Sequence, residues 1–548
     1  MNLRGTPMSN ETRVLGGESS HRSFFGGTHS RPRVIGLVAF MAIGFFGVMS
    51  FGFWGLLIGV LGCGAVLAMT TNTHQGTVLD RRTDRIRIKT RIQDGTDKYE
   101  PYSPQAWEEA KAEAAKVTSS KERARILNAV RERPDGADGM GWLQMGAKIP
   151  GIAWHTPVGE DPYLSVVFSV SGQMRGIESL ESARQAQLSF GRLLASRAAA
   201  SSLVKKIMPM TRVLPPDLAF QERWMTQNLA PDALEEAVAS YEEVLTKTAA
   251  GTLIQKHYVA VSWPLTDAFF IAAARKGPGR DGWRALMAEE IASMNRSLRR
   301  TRFREVQALT ARGTAAVILH QQNPSRPIEM VGDVDPRRIG VRSHDEKSVH
   351  VVHGVDPLTG ERVDWWHRTA KITAENVITS PRTQYWVLSL LLGSGITGVR
   401  TLAFHHELIP AVEARQAAKQ DLVRDLSDED SQTQAGKIAD SAVGVKKGSA
   451  MRRVDDLQEG SQHHGDNWVG FITLSARTRE GLTDSCRQLT DSATTDAGIS
   501  RLVWLDSFQS AASGTTWPIV RGLKPAKKTW GAKAMDRLAG NGDKEAIS

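Results

Sequence analysis

The chain has 548 residues, enough for two or three domains with cores of ordinary size. Its two cysteines exclude a disulfide scaffold and a cysteine-rich zinc or iron–sulfur centre, and 41% hydrophobic residues exclude a transporter with many spans. Lys+Arg 69 against Asp+Glu 59 leave a net charge of +10, too mild over this length to identify a nucleic-acid binder.

Residues 1–33 combine Gly, Ser, Thr and Arg without periodicity and read as a disordered basic tail. From Val34 to Met69 there are 36 residues without a charge, including Phe40, Phe45, Phe46, Phe51, Phe53 and Trp54. One helix of that length would measure roughly 54 Å, against a hydrocarbon core of about 30 Å. Two crossings of about 17 residues, turning near Ser50–Gly55, sit at the lower limit for spanning. Arg22, Arg31 and Arg33 precede the segment, and Arg81, Arg82, Arg85, Arg87, Lys89 and Arg91 follow it. Basic flanks mark the cytoplasmic side, and an even number of crossings satisfies both. The pattern therefore predicts a two-helix transmembrane hairpin over 34–69, with both termini in the cytoplasm. Gly55 and Gly59 form a small-xxx-small pair suited to close helix packing, although glycine is common in membrane helices generally.

Residues 70–140 form a basic connector and a helix, expected from Pro104 to Arg133 and stopped by Pro134-Asp135-Gly136. A first α+β subdomain is expected over 141–330. In it, Leu164, Val166, Phe168 and Val170 alternate as a half-buried strand, and a helix follows over 180–201. The strand 203–214 is placed at a sheet edge because Pro209 interrupts it. Helices over 220–228 and 232–248 lead to a strand at 257–263, and a long helix is expected from Trp283 through Ala311.

A second α+β subdomain is expected over 331–525. It opens with a hairpin over 348–372 around Asp356–Gly360, followed by an apolar helix near 385–392. A strand at 399–404, helical segments from Pro410 to Leu457 broken by the acidic stretch Ser427–Ser431, and a strand at 468–476 come next. Leu482, Cys486, Leu489 and Ala493 then share one helical stripe, Gly498 caps that helix, and a strand follows at 502–505. Strand–helix–strand–strand–helix–strand split across the chain predicts a two-layer, ferredoxin-like α+β region. Residues 526–548 are a flexible basic tail. From Arg521 onward Lys524, Lys527, Lys528, Lys533 and Arg537 surround Trp530, a composition suited to anionic lipid.

The usual catalytic patterns are each incomplete in this sequence. The only Gly-Lys pair, Gly436-Lys437, has Ser431 where a phosphate loop needs its first glycine and Ile438 where it needs a hydroxyl. His405-His406-Glu407 and His463-His464 lack metal-ligand spacing, since adjacent strand residues face opposite ways. Cys486 reads as a small core residue, and no catalytic constellation, metal site or cofactor is expected. Arg296, Arg299, Arg300, Arg302 and Arg304 make a dense basic cluster, placed on one helix. It is either a docking face for phosphates or an acidic partner, or a solvated face paired with Glu289, Glu290 and Glu305.

Several short motifs occur in order: Arg212–Asp217, Gln255–Tyr258, Gly313–Ala316 ending at Asn323-Pro324, Ser380-Pro381-Arg382, Gly398–Thr401, Glu459-Gly460, and Trp517–Leu523. With the apolar segment, they resemble a family of actinobacterial membrane proteins encoded with conjugative type IV secretion machinery. In that family a two-helix membrane unit precedes a soluble region similar to the non-ATPase amino-terminal domain of the secretion ATPase. Trp517 and Val520 depart from the pattern, which has smaller residues and glycine there. The resemblance implies a non-enzymatic, multi-pass plasma-membrane component whose cytoplasmic platform docks the transfer ATPase. Its expected partners are the lipid bilayer, that ATPase, other channel subunits and further copies of itself. Two rival readings are a membrane-tethered DNA-binding protein using the arginine cluster and a membrane component of type VII secretion machinery.

Overall fold

The computed structural model describes residues 13–16, 31–71, 77–157, 161–173, 178–216, 218–249, 252–357, 359–383, 385–392, 398–434, 441–458, 461 and 463–522. Gly436-Lys437, Glu459-Gly460, Asp217 and the basic tail lie outside them, as does most of the amino-terminal tail.

Two apolar helices come first, α1 (Arg31–Phe51) and α2 (Phe53–Thr70), followed by α3 (Val78–Asp94). The break at Gly52, whose φ of 58° is left-handed, falls inside the stretch expected to turn. The remainder is mixed α+β around one large, mostly antiparallel sheet of 14 strands.

The sheet contains two sets of elements with the same order. The first is β1 (Tyr163–Ser171), α4 (Leu180–Arg197), β2 (Lys206–Leu214), β3 (Ile254–Pro264), α5 (Gly279–Arg300) and β4 (Arg304–Ala308). Pairing places them β4-β1-β3-β2, all antiparallel. After α6 (Ala311–Gln322), the second is β5 (Arg362–Ile372), the short helix Leu388–Leu392, β6 (Val399–Ile409), β7 (Gly465–Ala476), α7 (Arg479–Thr495) and β8 (Val503–Trp504). Pairing places these β8-β5-β7-β6, the same fourth-first-third-second order. The chain then forms α8 (Gln509–Gly514). Each set carries a pair of helices between its second and third strands, Ala219–Asn228 with Glu235–Ala249 and Ala411–Gln434 with Ser441–Asp456. The sets join where β2 pairs with β6.

Alternation along each strand builds two cores. On one face Leu164, Val166, Phe168 and Val170 meet Met287, Ile291 and Met294 of α5, and Ile472 and Leu474 meet Leu482, Cys486 and Leu489 of α7. On the other face Met208, Met210 and Trp365 meet Val317 of α6 and Val520. The sheet must curl. Its longest path crosses twelve strands, about 50 Å if flat, yet the chain joins the two end strands between Arg131 and Met140, which reaches only about 30 Å. Curling explains why α6 is buried at nine of its twelve residues.

Four local expectations are corrected. β2 lies inside the sheet, paired with β3 along its whole length and with β6 except around Met208 and Pro209. The ladder to β6 is interrupted where proline supplies no N–H, so an interior strand accommodates it. The helix expected over 283–311 ends at Arg300, where Thr301 leaves the helix, and β4 follows. The helix expected over 104–133 is two, Pro104–Ala115 and Ser120–Ala129. The acidic stretch 427–431 lies inside the helix Ala411–Gln434 and does not interrupt it.

Candidate membrane and partner interfaces

The apolar helices turn small residues toward each other and large ones outward. A side chain on Gly59 would meet Gly44 Cα at 2.7 Å, and one on Gly55 would meet the Gly47 backbone at 2.0 Å. Gly55 and Gly59 are buried, whereas Phe45, Phe46, Phe51, Phe53 and Trp54 are each more than 60% exposed. By length and composition one helix, Phe53–Thr70, suffices to cross a membrane; Ile35–Phe51 is apolar but shorter.

α3 connects these helices to the sheet through Arg91. Its side chain is 10% exposed and forms ion pairs with Asp345, which is fully buried, and with Asp135 at 3.0 Å. Arg91 Nη2 also donates to Thr96 O at 2.8 Å, and the guanidinium lies 4.0 Å from the Phe508 ring centroid. Asp345 accepts further hydrogen bonds from Ser510 Oγ at 2.7 Å and from His350 Nδ1 at 2.9 Å. Burial alone would raise the Asp345 carboxyl, but the hydrogen bond and charge of His350, with Arg91, outweigh it and hold it at about 2. One guanidinium thus ties α3 to residues 44, 254 and 419 positions downstream. Sequence reasoning missed this node because Arg91 sits in a run of six cations. The available signal was its phase, three residues beyond Ile88 on one side of α3.

The five arginines of the basic cluster do not share a helix. Arg296, Arg299 and Arg300 end α5, Arg302 sits in the turn with a φ of 69°, and Arg304 opens β4. Among the described residues none of the five forms an ion pair. Arg299 donates to Val306 O at 3.5 Å and Arg302 to Ser182 O at 3.2 Å. Glu289 pairs with Lys276 and Glu290 accepts from Trp263 Nε1, so neither carboxylate neutralises the cluster.

Two motif segments, those of Arg212 and Thr401, meet where the two strand sets join. Arg212 is buried and donates to Thr401 Oγ1 at 2.7 Å and to His320 O at 3.1 Å. Gln255 and His257 pair across from Val213 and Thr211. Tyr163 Oη donates to Ile519 O at 2.9 Å, and Arg521 pairs with Asp138 at 2.7 Å. Val520 adopts a φ of 57°, a region that glycine enters freely and a β-branched residue rarely does.

The remaining candidates have structural partners. His405 is buried and donates from Nε2 to Thr515 O at 2.8 Å, while its neighbour His406 meets Asp466 at 2.6 Å. His367 is held between Ser475 Oγ and Gln322 O. Cys486 is buried, which pushes its thiol up to about 11. Among the described residues no group of three or more His, Cys, Asp or Glu side chains could hold a metal. Sequence reasoning also missed an apolar cleft of about 260 Å³ between Ala219–Asn228 and Glu235–Ala249, lined by Trp224, Leu229, Val238 and Tyr241.

No protein-family model matches the chain, and no curated protein matches it.

Proposed function

We propose that the protein is a non-enzymatic, membrane-anchored structural component of a conjugative type IV-like secretion apparatus, docking the transfer ATPase at the cytoplasmic face. In this reading α1 and α2 form a transmembrane hairpin in the plasma membrane, and each strand set is a ferredoxin-like unit with an inserted helix pair. The observation that carries it is the Arg91 node, which fixes the helix following the apolar pair to a large sheet doubled in strand order. An anchor rigidly joined to a broad platform suits the holding of other subunits. The outward aromatic side chains of α1 and α2 support lipid contact, because so large an apolar surface is unfavourable in water.

Two experiments test the reading. Reporters fused at residues 20 and 140 should both report cytoplasm, and an exterior signal from either would overturn the hairpin. Affinity capture of the membrane complex followed by mass spectrometry should recover the transfer ATPase; recovery of type VII subunits instead would replace this assignment.

A further inference from the structure

α3 has two unlike sides. Ile88 and Arg91 are buried, and Asp84 on that side accepts from Ser507 Oγ at 3.2 Å. The other side exposes Arg82, Arg85, Ile86 and Lys89, at helical spacings of three, four and seven that align them in one stripe. Ile86 is 57% exposed, and Val78 and Ile92 extend the stripe at 44% and 40%. Among the described residues Arg82, Arg85 and Lys89 form no ion pair. The helix also packs against the end of α2, so the stripe begins where the apolar helix stops. Arg91 prevents α3 from rolling to hide the isoleucines.

We propose that this stripe is an anionic-phospholipid binding surface: α3 lies along the bilayer, Arg82, Arg85 and Lys89 hold headgroup phosphates, and Ile86 enters the acyl boundary. Clustered cations beside a membrane helix attract anionic lipid, and apolar residues interleaved with them bury in the interface. The proposal rests on the membrane reading of α1 and α2 and adds to it a lipid class and a site.

The test uses the full chain in vesicles of phosphatidylcholine alone or mixed with phosphatidylglycerol. A photo-crosslinking benzoylphenylalanine replaces Ile86 in one protein and Leu56 of α2 in another, and lipid adducts are read by mass spectrometry. The expected result is an adduct at 86 in the mixed vesicles, lost in phosphatidylcholine and lost when Arg82→Gln, Arg85→Gln and Lys89→Gln are combined. An adduct at 56 without any at 86 would overturn the lipid surface while leaving the membrane anchor standing. Absence of adducts at both positions would overturn the anchor and the surface together. Salt-dependent DNA binding that disappears in the triple variant, with no adduct at 86, would reassign the stripe to nucleic acid.

Discussion

Replacing Arg91 with methionine keeps most of the side chain's length while removing its charge. The change would leave buried Asp345 with His350 but without its guanidinium partner, and would delete the donations to Asp135 and Thr96 O. Removing one partner of a buried pair costs about 3–5 kcal/mol. Unfolding entropy of about 2.1 cal/mol/K per residue over the roughly 450 residues from α3 onward makes each kcal/mol worth about 1 °C, so the melting temperature should fall by about 3–5 °C. Asp345→Asn should cost a similar amount. The double variant should be milder than the sum, with a coupling of about 1–3 kcal/mol, because neither charge is then left without its partner. Differential scanning fluorimetry of the full chain in lipid nanodiscs would measure all four proteins. Strict additivity, or a methionine variant melting like the parent, would refute the view that Arg91 joins α3 to the sheet.

Acidification should destabilise the protein in two steps. Burial holds His155 and His367 at about 3 and His405 at about 4, so the unfolded chain binds protons below about 6.5 that the folded chain refuses. Stability should fall by about 1.4 kcal/mol per histidine per pH unit, and a melting temperature unchanged between pH 7 and pH 5 would contradict this. Asp345 has a depressed folded pKa, so its contribution is present above about 4 and is lost from there down to about 2. Gly55→Leu should force α1 and α2 apart by several ångströms, read as a longer distance between spin labels at Met41 and Val60; an unchanged distance would show that the glycine contact is dispensable. Arg299→Glu, Arg300→Glu and Arg302→Glu combined should leave melting within about 1.5 kcal/mol of the parent, since exposed substitutions contribute within about 0.5 kcal/mol each. Unchanged ATPase recovery would then retire the cluster as a docking face. Finally, purified protein should turn over no ATP above a Lys437→Ala control.

Local periodicity made most elements legible. The alternation of Leu164 to Val170 and the stripe of Leu482 to Ala493 depend on neighbours within one strand or helix; the stripe appears as read, whereas the strand forms but is buried on both faces rather than half-buried, with Val167 in the core that includes Val317 of α6. Errors arose where distant chain segments decide the outcome. Pro209 signals an edge when only its own strand is considered, but the ladder interruption opposite β6 removes that objection. The helix predicted to reach Ala311 ends at Arg300 because Arg304–Ala308 gains a partner in β1, which no local pattern announces. The Arg91 node is the extreme case. An arginine in a basic run reads as solvated, and only the pairing of Ser343–Asp345 with its neighbouring strands brings a carboxylate beneath it.

That node also sets an order on biosynthesis. At roughly 5–20 residues per second, Asp345 is made about 13–50 s after Arg91, and Ser510 about 20–80 s after it. The apolar helices are thus complete well before the residues that fix α3 exist. During this interval α3 lacks Asp345, and the strand Ser343–Asp345 is missing beside Lys98–Pro101. The sheet cannot be completed from the amino terminus onward; the early strand Lys98–Pro101 must wait for its partner Ser343–Asp345, made hundreds of residues later. A chain truncated before Ser510 would therefore lack the hydroxyl that bridges Asp135 and Asp345, so α3 and the sheet become one body only once Ser510 is made.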